Sequence, residues 1–371
     1  MPERMMKAPT PTSPWRMISC PGSKRCSTAA FAIASSERWS RSSNQLNLRR
    51  KSVLIGTRGM VAAASILRSV SGFRIEVAHD IAACALTVPL QEEVWSGDVI
   101  VPPQLLLAVV HNGGFVALGY VDGDDRPAGF VFGFLGIYDY HFRHHSHMLA
   151  VRERHRGTGL ARALKEAQRD HCLDQGIEVV AWTMDPLEAR NAHFNFGKLG
   201  AFTRTYHRDF YGAMPDKLNA GLPSDRVYVE WPIGHDRTYK RLRGEDRPPA
   251  LADAEREGIT YLLRADRERP APAGRPKGET HLLLEIPREF QELKAKDPEL
   301  ALAWRLAARD AFERAFAEGY AAVEFLRGAD GRGAYLLVPQ PRRDGGVAGD
   351  ALAGEARVER GVAGGSLPAT R

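Results

Sequence analysis

Regular alternation of apolar and polar residues begins at position 73. Residues 73–78 alternate as a strand. Residues 81–95 carry apolar positions at helical spacing, with Pro89 predicting a bend or break. Two strands, 115–121 and 128–136, flank Asp122-Gly-Asp-Asp-Arg-Pro127, a turn of Gly, Asp and Pro. A short apolar strand, 147–151, then leads through a Gly-containing turn into a helix with the stripe Leu160, Ala163, Leu164, Ala167 and His171. That helix ends near Gly176. A buried strand at 177–184, a helix at 188–199 closed by Gly200, and strands at 201–206 and 226–231 follow. Helices alternating with strands predict an α/β (α+β) fold, a mixed central sheet flanked by helices, over residues 73–235.

The pattern beyond is different. Residues 236–278 are charged and broken by Pro248, Pro249, Pro270, Pro272 and Pro276, which predicts a linker. A small αβ unit is expected over 279–340. It holds a strand near 281–286, a helix starting at Asp297-Pro298 with the apolar stripe Leu300, Trp304, Ala307, Ala308, Ala311, Phe312, Ala315 and Phe316, and strands near 321–326 and 334–338. One strongly apolar helix face must be covered, by the first domain or by a second copy in a homodimer. Residues 341–371, rich in Gly and Ala, read as a disordered tail. Residues 1–72 read as a basic, disordered leader or an over-extended start, with Met60 as the alternative initiator and a transit peptide as the remaining option.

Charge and cysteines narrow the partners. The net charge of +6 sits at the front, where residues 1–59 hold eleven Lys or Arg against two acids. The remainder is near neutral, so no nucleic-acid partner is expected. No apolar run approaches the ~18 residues of a membrane helix, so no membrane partner is expected either. Cys20, Cys26, Cys84 and Cys172 show no C-x-x-C spacing, which fits a reducing, cytoplasmic setting and no thiolate metal site.

The chemistry concentrates in Arg156-Gly157-Thr158-Gly159-Leu160-Ala161, between a buried strand and an amphipathic helix. Glycines let the backbone turn tightly and leave N–H groups unshielded at the positive end of a helix dipole, a concavity suited to phosphate. The loop lacks the Gly-Lys-Ser/Thr ending of an ATP-binding loop and does not meet G-x-G-x-x-G. An ordinary strand-to-helix turn is the alternative.

In this setting Arg156 to Ala161 resembles the Q/R-x-x-G-x-G/A signature of the GNAT superfamily of N-acetyltransferases, and Asn191 to Phe202 resembles that family's late segment. The resemblance covers about 73–235 and is nearest to uncharacterised bacterial members. It implies an N-acetyltransferase with acetyl-CoA, or another acyl-CoA, as co-substrate and a small-molecule amine as acceptor. It also implies that Arg156, Gly157, Thr158, Gly159, Leu160 and Ala161 cradle the pyrophosphate, that Leu149, Ala150 and Val151 bind the pantetheine arm, and that Asn191 belongs to the same site.

Ahead of the strand lies His141-Phe-Arg-His-His-Ser-His147. Members of the family place a catalytic Glu where this chain has His145, with His147 on the same face two residues later. An imidazole titrates near neutrality, so His145 or His147 is expected as general base. A metal site and solvated polar residues at the strand's start are the other readings, and no metal is expected. The family's thiolate-protonating Tyr corresponds to Phe196 here, which leaves Tyr211 as the candidate acid and a non-catalytic acyl-CoA-binding regulatory module as the alternative function. Arg305 and Arg309, one turn apart, read as a solvated helix face.

Overall fold

The computed structural model describes residues 66–340, apart from 71, 96–99, 139, 213–220 and 275. The leader through residue 65 and the tail from 341 lie outside the described residues. Strand β1 (Ile66–Val70) pairs antiparallel with β2 (Phe73–Val77), so the sheet starts ahead of the expected boundary at 73.

Helix α1 (Ile81–Ala85) is capped by the Asp80 carboxylate, which accepts from the Ala83 N–H at 2.8 Å. Helix α2 (Val88–Trp95) follows, so Pro89 opens a second helix where its missing N–H costs nothing, rather than bending one long helix. Helix α3 (Pro103–His111) has no counterpart in the periodicity reading. Its run Leu-Leu-Leu-Ala-Val-Val lacks a polar face to set the helical period. Strands β3 (Phe115–Val121), β4 (Gly129–Tyr138) and β5 (His141–Val151) form an antiparallel meander. The histidine run is therefore part of β5 and paired to β4, not a solvated approach to a short strand.

Helix α4 (Leu160–Asp174) and strand β6 (Val179–Met184) come next. Helix α5 (Ala189–Ala192) continues as a π turn over His193–Lys198, a wider turn that points Asn195, Phe196 and Gly197 inward together. Strands β7 (Phe202–His207) and β8 (Arg226–Pro232) complete the first half.

The expected linker is ordered. It holds α6 (Asp236–Arg243), α7 (Leu251–Arg256), β9 (Thr260–Asp266) and β10 (Arg269–Pro272). The prolines that suggested a linker have specific places. Pro270 and Pro272 are two apart on β10, the outermost strand, so both missing N–H groups face away from β9. The chain ends with β11 (Leu282–Ile286), α8 (Phe290–Lys296), α9 (Pro298–Ala317), β12 (Tyr320–Arg327) and β13 (Gly333–Pro339).

One mixed sheet runs through all thirteen described strands in the order β1-β2-β3-β4-β5-β6-β8-β7-β12-β13-β11-β9-β10. Only β5–β6 and β9–β11 are parallel. The C-terminal unit is thus joined to the first half through β7 and β12, where Ala322 faces Thr203. The apolar face of α9 is covered from within the chain, with Trp304, Phe312, Phe196 and Trp231 in one buried cluster. Arg305 and Arg309 are not solvated. Arg305 donates to both Asp185 carboxylate oxygens at 2.8 and 2.5 Å, and Arg309 to both of Asp225 at 2.8 and 2.7 Å.

Candidate active site

The site grows from the way β5 leaves its parallel neighbour. Only His144 and His145 of β5 face β6, opposite Val180 and Ala181. From Ser146 and Trp182 onward the strands part, leaving a wedge whose walls are the C-terminal halves of β5 and β6. On the β4 side the register slips, with Phe132 opposite Met148 and Gly133 opposite Ser146, so His147 is a bulge without a β4 partner. The bulge sets two consecutive side chains on one face: His147 packs on Phe132 and Phe134, and Met148 joins the buried cluster of Phe130 and Phe132. His145 packs on Phe134, on that face too, as the alternation predicts.

At the wide end of the wedge β5 passes into the glycine loop. Gly157 has φ 81° and Gly159 φ 109°, a left-handed backbone that residues with a Cβ rarely adopt. Gly159 is the N-cap of α4 and offers no side chain to its first N–H groups. Those donors and the helix dipole are suited to meet an anion. Thr158 Oγ1 donates to the His155 carbonyl at 2.8 Å and fixes the turn, and Arg156 Nε donates to the Val151 carbonyl at 3.4 Å. Leu160 is buried under the sheet. Leu149 and Val151 face α4, while Ala150 faces the opposite cluster. Strand β5 and the loop therefore bring together all the expected cofactor-binding residues except Asn191, which is exposed on α5 beyond the end of β6.

The candidate acid and bases separate. Tyr211 Oη lies 2.9 Å from Thr183 Oγ1 on β6, with the Arg226 guanidinium 5.4 Å from its ring centroid. Phe196 is fully buried and away from solvent. Burial, with the neighbouring His147 and Lys165 charges, lowers His145 to about 4. Burial also lowers His147. His144, on the α4 side, is lowered to about 3 by burial and then by His171, Lys165 and His145, and its Nε2 lies 3.1 Å from Gln168 Nε2. All three imidazoles are neutral at neutral pH. Among the described residues no group of three His, Cys, Asp or Glu is arranged to hold a metal ion, and no helix is long and apolar enough to cross a membrane. Cys84 and Cys172 are buried free thiols.

Periodicity missed Lys165. It lies off the apolar stripe of α4 and reads as solvent-facing, yet it is buried, because α4 is enclosed on more than one side: Lys165, Gln168 and Arg169 are all buried. No signal in the sequence marks it.

Residues 79–200 match the model of the Acetyltransferase (GNAT) family. No curated protein matches the chain. Among solved structures, a putative GNAT-family acetyltransferase from Desulfovibrio desulfuricans is 15% identical, with 43% of this chain and 99% of that one covered and a TM-score of 0.34. The ribosomal-protein-S18-alanine N-acetyltransferase of Escherichia coli is also 15% identical, covering 43% of this chain and 94% of its own, at 0.35. The putative acetyltransferase yncA of Salmonella typhimurium, solved with acetyl-CoA, is 20% identical, covering 44% and 94%, at 0.34.

Proposed function

Residues 79–200 are a GNAT-family acetyltransferase domain, and from that premise we propose that the protein moves an acetyl or longer acyl group from coenzyme A to the amine of a small molecule. The observation that supports this best is the meeting of two features at one end of β5: the uncapped, glycine-opened start of α4 and the wedge where β5 parts from β6.

Each part has a use. The N–H groups of the Arg156–Ala161 loop suit the pyrophosphate of acyl-CoA. The backbone of Leu149, Ala150 and Val151, unpaired on the β6 side, suits the amide-bearing pantetheine arm, and exposed Asn191 on α5 is the remaining candidate for its far end. The His147 N–H, outside the β4 register, suits the oxyanion formed when the amine attacks the thioester carbonyl. His147 takes the amine proton. It is neutral at working pH and the more accessible of the two, while His145 is held at about 4 and is too weak a base for the task. The tetrahedral intermediate then collapses, the C–S bond breaks and thiolate leaves. Tyr211 meets Thr183 of β6 and the Arg226 guanidinium of β8, and we assign Tyr211 to the acceptor rather than to the sulfur.

The test is a screen of small amines with acetyl-CoA, following release of free thiol. Amine-dependent release supports the reading. Tight CoA binding without release by any amine would favour a regulatory acyl-CoA-binding module, in keeping with the phenylalanine at position 196.

A further inference from the structure

Lys165 stands at the closed end of the wedge. Its side chain is 2% exposed, and no carboxylate pairs with it among the described residues. Nζ donates to Ser146 Oγ at 2.8 Å and to Gln168 Oε1 at 3.1 Å, and lies 3.9 Å from the Trp182 ring centroid. The last facing pair of β5 and β6 is His145 with Ala181. Ser146 and Trp182 are the next residue on each strand, so this one ammonium touches both residues at which the strands first separate.

Two facts make the arrangement more than filling. A Met or Leu would occupy the same volume without desolvating a charge, and a buried cation is costly unless something compensates it. The Ser146 hydroxyl accepts from Lys165 but has no acceptor of its own among the described residues, so its hydrogen is available to a group in the wedge. Acyl transfer leaves an anion there, and position 196, where the family resemblance would put a phenol, holds an enclosed phenylalanine that has no proton to give.

Resting on the acyl-CoA reading above, we propose that Ser146, backed by Lys165, protonates the coenzyme A thiolate as the acyl group departs. The C–S electron pair leaves with sulfur. The Ser146 proton passes to sulfur as a Lys165 proton passes to the Ser146 oxygen, giving CoASH and a neutral lysine. His147 meanwhile holds the proton from the amine, and both groups return to their starting states by exchange with solvent. Ser146 touches the reacting atom, and Lys165 acts through it.

The titratable groups facing Lys165 are Cys172 on its own helix and His144 and His145 on β5, while β6 and β8 present Trp182 and Trp231. Burial lowers Lys165 to about 7, offset in part by Cys172, so its proton is transferable near neutral pH. Turnover therefore requires protonated Lys165 and falls as pH rises through its pKa.

The experiment uses the full chain as wild type, K165M and S146A. With an accepted amine, kcat falls about 100-fold in each variant while KM for acetyl-CoA stays within about threefold. The alkaline limb of the wild-type pH profile vanishes in K165M. Binding gives a readout independent of turnover: calorimetry near neutral pH, where Lys165 still holds its proton, shows wild type favouring CoASH over desulfo-CoA by about tenfold, through the sulfur that Ser146 and the ammonium meet, and K165M favouring neither. Turnover within about twofold of wild type in K165M or S146A, an alkaline limb that persists in K165M, or an unchanged preference for CoASH would each overturn the proposal. S146A carries the test if K165M does not fold. Failure of wild type to bind either ligand would remove the acyl-CoA reading itself, whereas binding with unaltered variants would remove this inference alone.

Discussion

The ring of Phe196 meets that of Tyr335 edge-on, with centroids 5.3 Å apart and planes at 88°, and Tyr335 Oη donates to the Pro186 carbonyl at 2.8 Å. A residue of the π turn is thereby locked beneath β13, and a residue of β13 satisfies the backbone just after β6. The C-terminal unit is part of the wall behind the site.

A phenol placed at position 196 should therefore not help. Phe196→Tyr places a hydroxyl in a fully buried position beneath Tyr335. We expect a loss of about 1–3 kcal/mol in urea unfolding, the cost of an unpartnered buried hydroxyl, with no gain in kcat. A more active and equally stable variant would show that the position still faces the sulfur.

Removing Arg305 should unlock α9. Its side chain and that of Asp185 are 2% and 12% exposed, and Arg305→Met leaves the carboxylate with the Leu187 N–H at 2.9 Å and, as its nearest remaining cation, Arg226 at 3.9 Å. A destabilisation of about 3 kcal/mol is expected, read as a lower urea midpoint. Because one sheet spans both halves, unfolding of residues 66–340 stays a single transition in fluorescence and circular dichroism.

The base should show itself in the pH profile. His147 is lowered from 6.5 by burial, so activity that needs the neutral imidazole is complete at neutral pH and falls as pH drops through that lowered value. His147→Gln should cost about 10²-fold or more in kcat and flatten that acid limb in steady-state rates, with His145→Gln milder.

Lys165 should also appear in stability. Its pKa is lowered from 10.5 unfolded to about 7 folded, so between those values the unfolded chain binds more protons. Stability therefore rises with pH from 7 toward 10.5 and is lowest below 7. Lys165→Met should raise the melting temperature at pH 6, by ~2–4 °C per kcal/mol relieved, and the advantage should shrink by pH 9. A variant less stable than wild type at pH 6 would mean that the Ser146, Gln168 and Trp182 contacts outweigh the burial.

Much of this was legible in sequence because the signals were local. The run from β5 through Gly157 and Gly159 into α4 announces itself in a dozen residues, and the shared face of His145 and His147 follows from strand alternation. What failed depended on long-range packing. Prolines 270 and 272 look like linker until an edge strand gives their missing N–H groups a side to face. Arg305 and Arg309 look solvated until Asp185 and Asp225, more than 80 residues away in sequence, arrive. Lys165 looks exposed until α4 is enclosed by the wedge and its neighbours.

Whether the wedge and glycine loop hold acyl-CoA is answered by titrating acetyl-CoA calorimetrically into the full chain and into its Gly157→Glu and Gly159→Glu variants. Both positions need a left-handed backbone, and a carboxylate there repels phosphate. Wild type should bind saturably, and both substitutions should abolish that binding while the variants remain folded. Binding unaffected by both, or none by wild type, would contradict the acyl-CoA reading.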